Sequence, residues 1–490
     1  MAPATAVSCQ ARHSHELPHV AIFPLMAKGH TIPLLDLTCL LLRRRLTSVT
    51  LFTTPGNAAL VRAALAAGGA EGAAVVELPS PSGHATGEEG IESVASASSP
   101  FAAFVESTKM LQPRFEEALA AMRPPASLLV ADGFLYWAHA SAAALGVPRL
   151  SFLGTSAFAH VIREVCVRDK PGANCGGAGY DASTGTYTVP EFPHLRFSLA
   201  EFSPLPAPAI ELDAKMAVAV AASHGMIMNT IHGLESRYIE HWNQHIGPKA
   251  WPLGPLCLAR QSPTVDDPAH AKPSWMRWLD EKASAGRPVL YIAFGTLAAI
   301  PEVQLKEVAD GLDRAEVDFL WAVRPANVDL GTGYEDRVEG KGKVVREWVD
   351  QWEILQHASV RGFFSHCGWN SVLESVTAGV PLAVWPLEFE QPINARLVVD
   401  ELRVGIRVHS SDGKAGGLVK SEEVTRVVRE LISGEAGVAM SASVAAIAAQ
   451  ARLAGFQGGS SWNAVEEAIS ELCITNTAEK ATEVKHLSSV

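Results

Sequence analysis

Cysteine is scarce in this chain of 490 residues. There are seven, Cys9, Cys39, Cys166, Cys175, Cys257, Cys367 and Cys473, and no C-x-x-C among them. An odd, widely spaced set does not make a disulfide framework. It points to a reducing compartment, so a cytoplasmic protein is expected. Long apolar runs are missing too. The nearest, "MAVAVAASHGMIM" at 216–228, is too short to cross a bilayer and holds His224. The first twenty residues lack the unbroken apolar segment of a signal peptide. No stable membrane insertion is expected, and a monomer is. Positive charge is in deficit: 40 Lys and Arg against 52 Asp and Glu give a net −12, and the short run Arg43 to Arg45 reads as the solvated end of a helix. That balance argues against nucleic acid as a partner. No G-x-G-x-x-G follows a strand and opens a helix, which removes the main ground for a nicotinamide-dependent oxidoreductase.

What is present is an alternation of strand-like and helix-like segments. The first half carries β-rich runs at 19–25, 48–54, 73–79, 127–133, 148–154 and 225–231, several of them continuously apolar. That is the pattern of strands buried on both faces of a parallel sheet. Between the first two lies "IPLLDLTCLLLRRR", apolar at helical spacing, with Pro33 where a first helical turn tolerates it. After a Pro-rich break from Trp251 to Trp275 the alternation restarts, with runs at 289–295, 318–324, 342–348, 361–368, 381–387 and 405–408. The fold class expected is α/β, two doubly wound domains. The organisation expected is a disordered 1–17, a first α/β domain over 18–254, a linker over 255–275, a second α/β domain over 276–474 whose last helices pack back on the first, and a disordered tail over 475–490. Ser80 to Pro100 is Gly/Ser-rich and irregular. Arg168 to Pro193 reads as a disordered loop or a lid over a pocket.

The most informative stretch is "FFSHCGWNSVLESVTAGVP", Phe363 to Pro381. Adjacent His366 and Cys367 diverge at a strand end and lack further ligands at usable spacing, so no metal site is expected. Cys367 as a nucleophile lacks a base and an oxyanion hole. A strand, a turn at Gly368 and a helix capped by Asn370 or Ser371 and stopped by Gly379 form a cradle for an anion, with free backbone N–H groups and the helix dipole facing it. Ser371 adds a hydroxyl and His366 a ring N–H. Nearby, Trp348 and Gln351 offer an aromatic face and an amide, as a nucleobase requires, although taken alone a core tryptophan is the better reading. Glu374 either complements the dipole or accepts the two hydroxyls of a ribose. Glu390 and Gln391 suit sugar hydroxyls or an ordinary polar surface.

Together these residues resemble, in identity and spacing, the signature box of plant family-1 UDP-dependent glycosyltransferases. Trp348, Gln351, "HCGWNS" at 366–371, Glu374, "GVP" at 379–381 and the closing Glu390-Gln391 all fall on its positions, and "FGTL" at 294–297 and "FPLMAKGH" extend the likeness over about 18–474. The resemblance implies a GT-B-type fold, two Rossmann-like domains facing across a cleft, with acceptor bound by the first and UDP-sugar by the second. It puts uracil on Trp348 and on the backbone of Val349, ribose on Gln351 and Glu374, and the diphosphate on His366, Ser371 and Thr296, helped by Gly368 and Asn370. The sugar falls among Trp369, Glu390, Gln391 and Thr155, and a final Gln goes with glucose. One departure is Val349-Asp350, where the box has Ala-Pro; a residue that acts through its backbone tolerates it.

Sugar transfer with inversion, which the resemblance implies, needs a base. His30 follows the first strand and has an imidazole suited to taking a proton near neutrality. Asp132 ends another buried strand on the same sheet edge, where it can fix the ring's tautomer. The resemblance puts the catalytic pair on these two positions. The expected activity is therefore transfer of glucose from UDP-glucose, a co-substrate, to a hydroxyl of a small lipophilic acceptor. A phenolic or flavonoid is the family's usual acceptor, and C-glycosylation is the alternative. No cofactor is expected, and no metal, since there is no Asp-x-Asp pair. A non-catalytic sugar-nucleotide binder has no use for a His–Asp pair. Phe134, Trp137 and Phe158 suggest either an aromatic acceptor pocket or core.

Overall fold

The computed structural model describes residues 17–79, 101–169, 179–198, 201, 206–260, 272–295, 299–324, 326–411 and 417–474. Ten strands precede residue 260: β1 (His19–Phe23), β2 (Ser48–Thr53), β3 (Ala74–Glu77), β4 (Leu128–Asp132), β5 (Arg149–Leu153), β6 (Tyr180–Asp181), β7 (Thr186–Thr188), β8 (Arg196–Ser198), β9 (Gly225–Met228) and β10 (Ala250–Pro252). Seven of them form one parallel sheet in the order β10-β9-β5-β4-β1-β2-β3. The second half supplies β11 (Val289–Ala293), β12 (Asp318–Ala322), β13 (Gly342–Val345), β14 (Val360–Ser365), β15 (Leu382–Val384) and β16 (Gly405–Arg407), another parallel sheet in the order β13-β12-β11-β14-β15-β16. Both are doubly wound, as the alternation predicts. In each, the order reverses beside the first strand, and ligands bind in such sheets outside the strand ends at that reversal. In the first sheet it lies between β1 and β4, in the second between β11 and β14.

The apolar runs become strands because helices cover both faces: every residue of β1, β4, β5 and β11 is buried. Trp137 and Phe158 belong to this core, 4% and 0% exposed, and do not line the cleft. The helix Lys28–Arg43 starts earlier than expected and takes Pro33 inside it. Proline has no N–H to give the carbonyl four residues back, so the Gly29 carbonyl is left without its helical donor.

The Pro-rich break is more ordered than a linker at its start. Trp251 and Pro252 lie in β10, and Leu256 and Cys257 are buried in a 3-10 turn. Residues 261–271 lie outside the described residues, as do 1–16, 80–100, 170–178 and 475–490. What is described of the Gly-rich stretch after Arg168 begins a small antiparallel sheet, β6-β7-β8. The segment from Glu435 to Cys473 is long and apolar enough to cross a membrane by composition. It is interrupted at 456–459, however, and Val465, Ala468, Ile469 and Leu472 share a core cluster with Val20, Ile22 and Trp251 of the first sheet.

Candidate active site

The two sheet edges face each other across one cavity of about 2420 Å³, lined from both halves. On the first edge His30 follows β1 and Asp132 ends β4, at the reversal of strand order. Their side chains meet: His30 Nδ1 lies 2.7 Å from Asp132 Oδ2. Asp132 is fully buried, and its Oδ1 accepts the Phe134 backbone N–H at 3.0 Å. The carboxylate is thus fixed before it meets the ring. His30 keeps 18% of its side chain exposed, toward the cavity it lines. Burial alone would lower its pKa. The charge and hydrogen bond of Asp132, with a further contribution from Glu390, outweigh burial and hold the imidazole above its ordinary 6.5. Glu390 belongs to the second half, so the two sides already sense each other electrostatically.

On the second edge the chain leaves β14 at Ser365, and Cys367 adopts a left-handed φ of +66°. The turn throws the backbone into the helix Trp369–Ala378, whose N-cap is Gly368; Asn370 and Ser371 lie inside the helix rather than capping it. A glycine has no side chain to satisfy the first amides. The helical ladder opens with the Val372 N–H donating to Gly368 O at 3.1 Å, so the N–H groups of Trp369, Asn370 and Ser371 have no helical acceptor. The stop at Gly379 is as expected, with φ +80°. His366 packs so closely that a Cβ on Gly295 or Gly368 would come within 2.8 and 2.7 Å of its Nε2 and push the ring aside, and Gly295 also holds a left-handed φ of +77°. Burial, against a smaller pull from the Ala293 carbonyl, lowers the His366 pKa to about 4 and keeps the ring neutral. The Cys367 thiol is fully buried, and burial pushes its pKa far up, which removes it as a nucleophile.

Further along that edge Gln351 Nε2 donates to Glu374 Oε2 at 2.7 Å and to Ser371 Oγ at 3.0 Å. Asp350, the departure from the box, caps the short helix carrying Gln351 by accepting the Glu353 N–H at 3.0 Å. Val349 is buried on the cavity wall, and Trp348 is 54% exposed with the Lys28 ammonium 3.3 Å above its ring centroid. Gln391 Oε1 accepts the backbone N–H groups of Leu387 and Glu388, both at 2.9 Å, which commits its carbonyl and leaves its NH2 to donate elsewhere. Thr155 lines the cavity with a buried hydroxyl that has no hydrogen-bond partner among the described residues. Thr296 lies outside the described residues.

The edges are also tied directly. Asn370 Nδ2 donates to the Gly29 carbonyl, the one that Pro33 leaves free, next to His30. Asn229 Nδ2 donates to Asn370 Oδ1 at 3.3 Å, and the Trp369 indole donates to Asn229 O at 2.8 Å. Trp369 is therefore a 1% exposed interdomain tie as well as a cavity residue. Ser156 Oγ donates to Asn394 Oδ1 at 2.9 Å, and Asn394 Nδ2 to Cys367 O at 3.0 Å.

The family described as UDP-glucoronosyl and UDP-glucosyl transferase matches residues 249–433. UDP-glycosyltransferase 90A1 of Arabidopsis thaliana is 39% identical, over 96% of this chain and 99% of its own. The chain belongs to the plant UDP-dependent glycosyltransferases. A UDP-glucose flavonoid 3-O-glucosyltransferase of Fragaria ananassa is 32% identical, over 93% of this chain and 96% of its own. The crystal structure of Glycyrrhiza uralensis UGT73P12, complexed with glycyrrhetinic acid 3-O-monoglucuronide, superimposes with a TM-score of 0.82 at 26% identity, over 97% of this chain and all of the other. The two facing sheets are thus the Rossmann-like domains of a GT-B fold.

This glycosyltransferase has site residues that sequence reasoning passed over. Phe101 and Phe389 line the cavity and continue a row from His30: His30 to Phe134 at 5.4 Å, Phe134 to Phe101 at 5.0 Å, and Phe101 to Phe389 at 5.6 Å between ring centroids, each edge to face. Lys28, Asn229 and Arg260 went unremarked as well. An aromatic immediately before Glu390-Gln391 was the available signal for Phe389; the others had none.

Proposed function

We propose that the enzyme transfers glucose, with inversion, from UDP-glucose to a hydroxyl of a small, flat aromatic acceptor, a phenol or flavonoid. The carrying observation is the His30–Asp132 pair, 2.7 Å apart and opening on a cavity whose other edge presents an uncapped helix start. His30 takes the proton of the acceptor hydroxyl as its oxygen attacks the anomeric carbon. Asp132 orients the ring and stabilises the imidazolium as it forms. The C–O bond to UDP breaks, and the charge developing on the diphosphate meets the first-turn amides of the helix Trp369–Ala378 and the Ser371 hydroxyl. The base stacks on Trp348, and Gln351 and Glu374 take the ribose. Gln391, with its NH2 uncommitted, Glu390 and Thr155 take the sugar.

The reaction needs no cofactor beyond its co-substrate, and the helix start does the work that a cation does in metal-dependent transferases. The row Phe134–Phe101–Phe389 beside His30 supports a flat aromatic acceptor, in keeping with the flavonoid transferase among the relatives. The cavity volume favours a second reading, a bulkier polycyclic acceptor. The test is UDP-glucose offered with phenols, flavonoids and polycyclic alcohols, with and without a chelator. The expected product is an acid-labile O-glucoside formed at an unchanged rate in chelator. An acid-stable product would mean transfer to carbon, and loss of rate in chelator would assign the diphosphate to a metal.

A further inference from the structure

Arg260 stands where the first domain ends, just after the buried 3-10 turn, and it joins three parts of the molecule. Its Nε lies 3.0 Å from both oxygens of Asp36, on the first-domain helix Lys28–Arg43, and its Nη2 lies 2.9 Å from Oδ2. Its Nη1 lies 2.8 Å from Glu374 Oε1, on the second-domain helix. All three are largely covered, with 20%, 7% and 8% of their side chains exposed for Arg260, Asp36 and Glu374. All three also line the main cavity. The signature box includes Gln351 and Glu374; Arg260 and Asp36 lie outside it.

The count of acceptor positions gives this arrangement meaning. A carboxylate has about four lone-pair positions, two on each oxygen. Arg260 occupies one on Oε1 and Gln351 one on Oε2. One position per oxygen remains, held by two fixed donors, and that is what the two neighbouring hydroxyls of a ribose require. A carboxylate held only by Gln351 would be free to rotate. Arg260 suits the task where lysine would not, because its planar fork can hold two carboxylates at once.

We propose that Arg260, backed by Asp36, is a positioning residue for donor binding. It holds the Glu374 carboxylate turned to receive both ribose hydroxyls, and because Asp36 and Glu374 come from different domains it ties that readiness to the approach of the domains. The inference rests on the proposed use of Glu374 for the ribose. Asp36 itself is pushed up to about 6, first by burial and then by Glu374 and Asp350 against the pull of Arg260. Arg260 is therefore what keeps two close carboxylates compatible.

The test is calorimetric binding of UDP and of 2′-deoxyuridine diphosphate to wild type, Arg260→Met and Asp36→Asn. Wild type should prefer UDP by about 10- to 100-fold, the size of a hydrogen bond to a charged group. Arg260→Met should weaken UDP by a similar factor and 2′-deoxyuridine diphosphate much less, so that the preference nearly disappears. Asp36→Asn should fall between, and since it is isosteric it carries the test if the methionine variant does not fold. In turnover, the KM for UDP-glucose should rise while kcat and the acceptor KM hold. Equal weakening of both nucleotides, with the preference intact, would make the triad merely structural and overturn the inference. Wild type that binds neither nucleotide would instead overturn the proposed function.

Discussion

The two halves of this enzyme share a sheet topology but hold their chemistry differently. In the second half most of the residues proposed for the donor occupy one window, Trp348 to Gln391, and support one another locally: Gln351 bridges Ser371 and Glu374, and Gln391 fixes its own loop. In the first half nothing is contiguous. His30 and Asp132 are 102 residues apart, and Phe101 and Thr155 come from other elements. His30 and Asp132 meet because β1 and β4 are neighbours at the reversal of strand order. A large, shape-defined ligand such as a nucleotide sugar can be gripped along one continuous ribbon. A proton transfer needs two groups in one fixed orientation, which two adjacent strand ends supply. Substitutions in the first half should then affect turnover, and those in the second should affect donor binding.

The hardest test of that division is His30→Ala. It should lower kcat by about 10²- to 10⁴-fold, the scale of general-base catalysis, and leave UDP binding within about twofold by calorimetry. A variant keeping most of its turnover would end the assignment. Asp132→Asn should cost up to about 10⁴-fold and should also move the pH profile. In wild type His30 sits above 6.5, so kcat/KM should fall with decreasing pH through an apparent pKa above that value. Removing the Asp132 charge leaves burial dominant, so the acid limb should move to lower pH even as the plateau drops. An acid limb that stays put would mean that another group titrates.

How much of this was legible in the sequence follows the same division. The strands were, because buried parallel strands are continuous apolar runs. Short β10 and the hairpin strands β6 to β8 were not: their two or three residues carry no periodicity. That the window Trp348 to Gln391 gathers at one sheet edge could be read directly, apart from the cap, where Gly368 leaves open the amides that a polar cap would have closed. His30 and Asp132 could be named because the family resemblance falls on both positions and because strand ends share an edge. What no spacing encodes is the pairing between halves: Asn370 with Gly29, Asn229 with Trp369, Arg260 with Glu374. Pro33 illustrates the difficulty. It looked like a helix start, and it instead frees a carbonyl for the opposite domain.

Two residues cross the division and sharpen it. Phe389 belongs to the second half, yet its ring meets Phe101 of the first, and it stands 54% exposed at a φ of +56°, uncommon for a bulky residue. Phe389→Ala should lower kcat/KM for 2-naphthol about 5- to 10-fold. Its fully saturated analogue, which offers no flat face, should be nearly unaffected, as should UDP affinity. If both alcohols suffer alike, the ring is a scaffold and does not select flat acceptors.

Lys28 is the converse, a first-half residue that reaches the second half. Its ammonium sits 3.3 Å above the Trp348 ring, where burial, and then Arg324, lower its pKa. A uracil stacking on that face must displace it and forfeit a cation–π contact of about 0.5–1 kcal/mol. Lys28→Ala should therefore tighten UDP by about 2- to 5-fold, the smallest effect predicted here and opposite in sign to every other. Calorimetry at two salt concentrations checks the cause. A gain that survives added salt fits removal of a competitor for the ring. A loss of affinity that salt reproduces in wild type would show that the ammonium, once moved, holds the diphosphate, and Lys28 would then join the donor site.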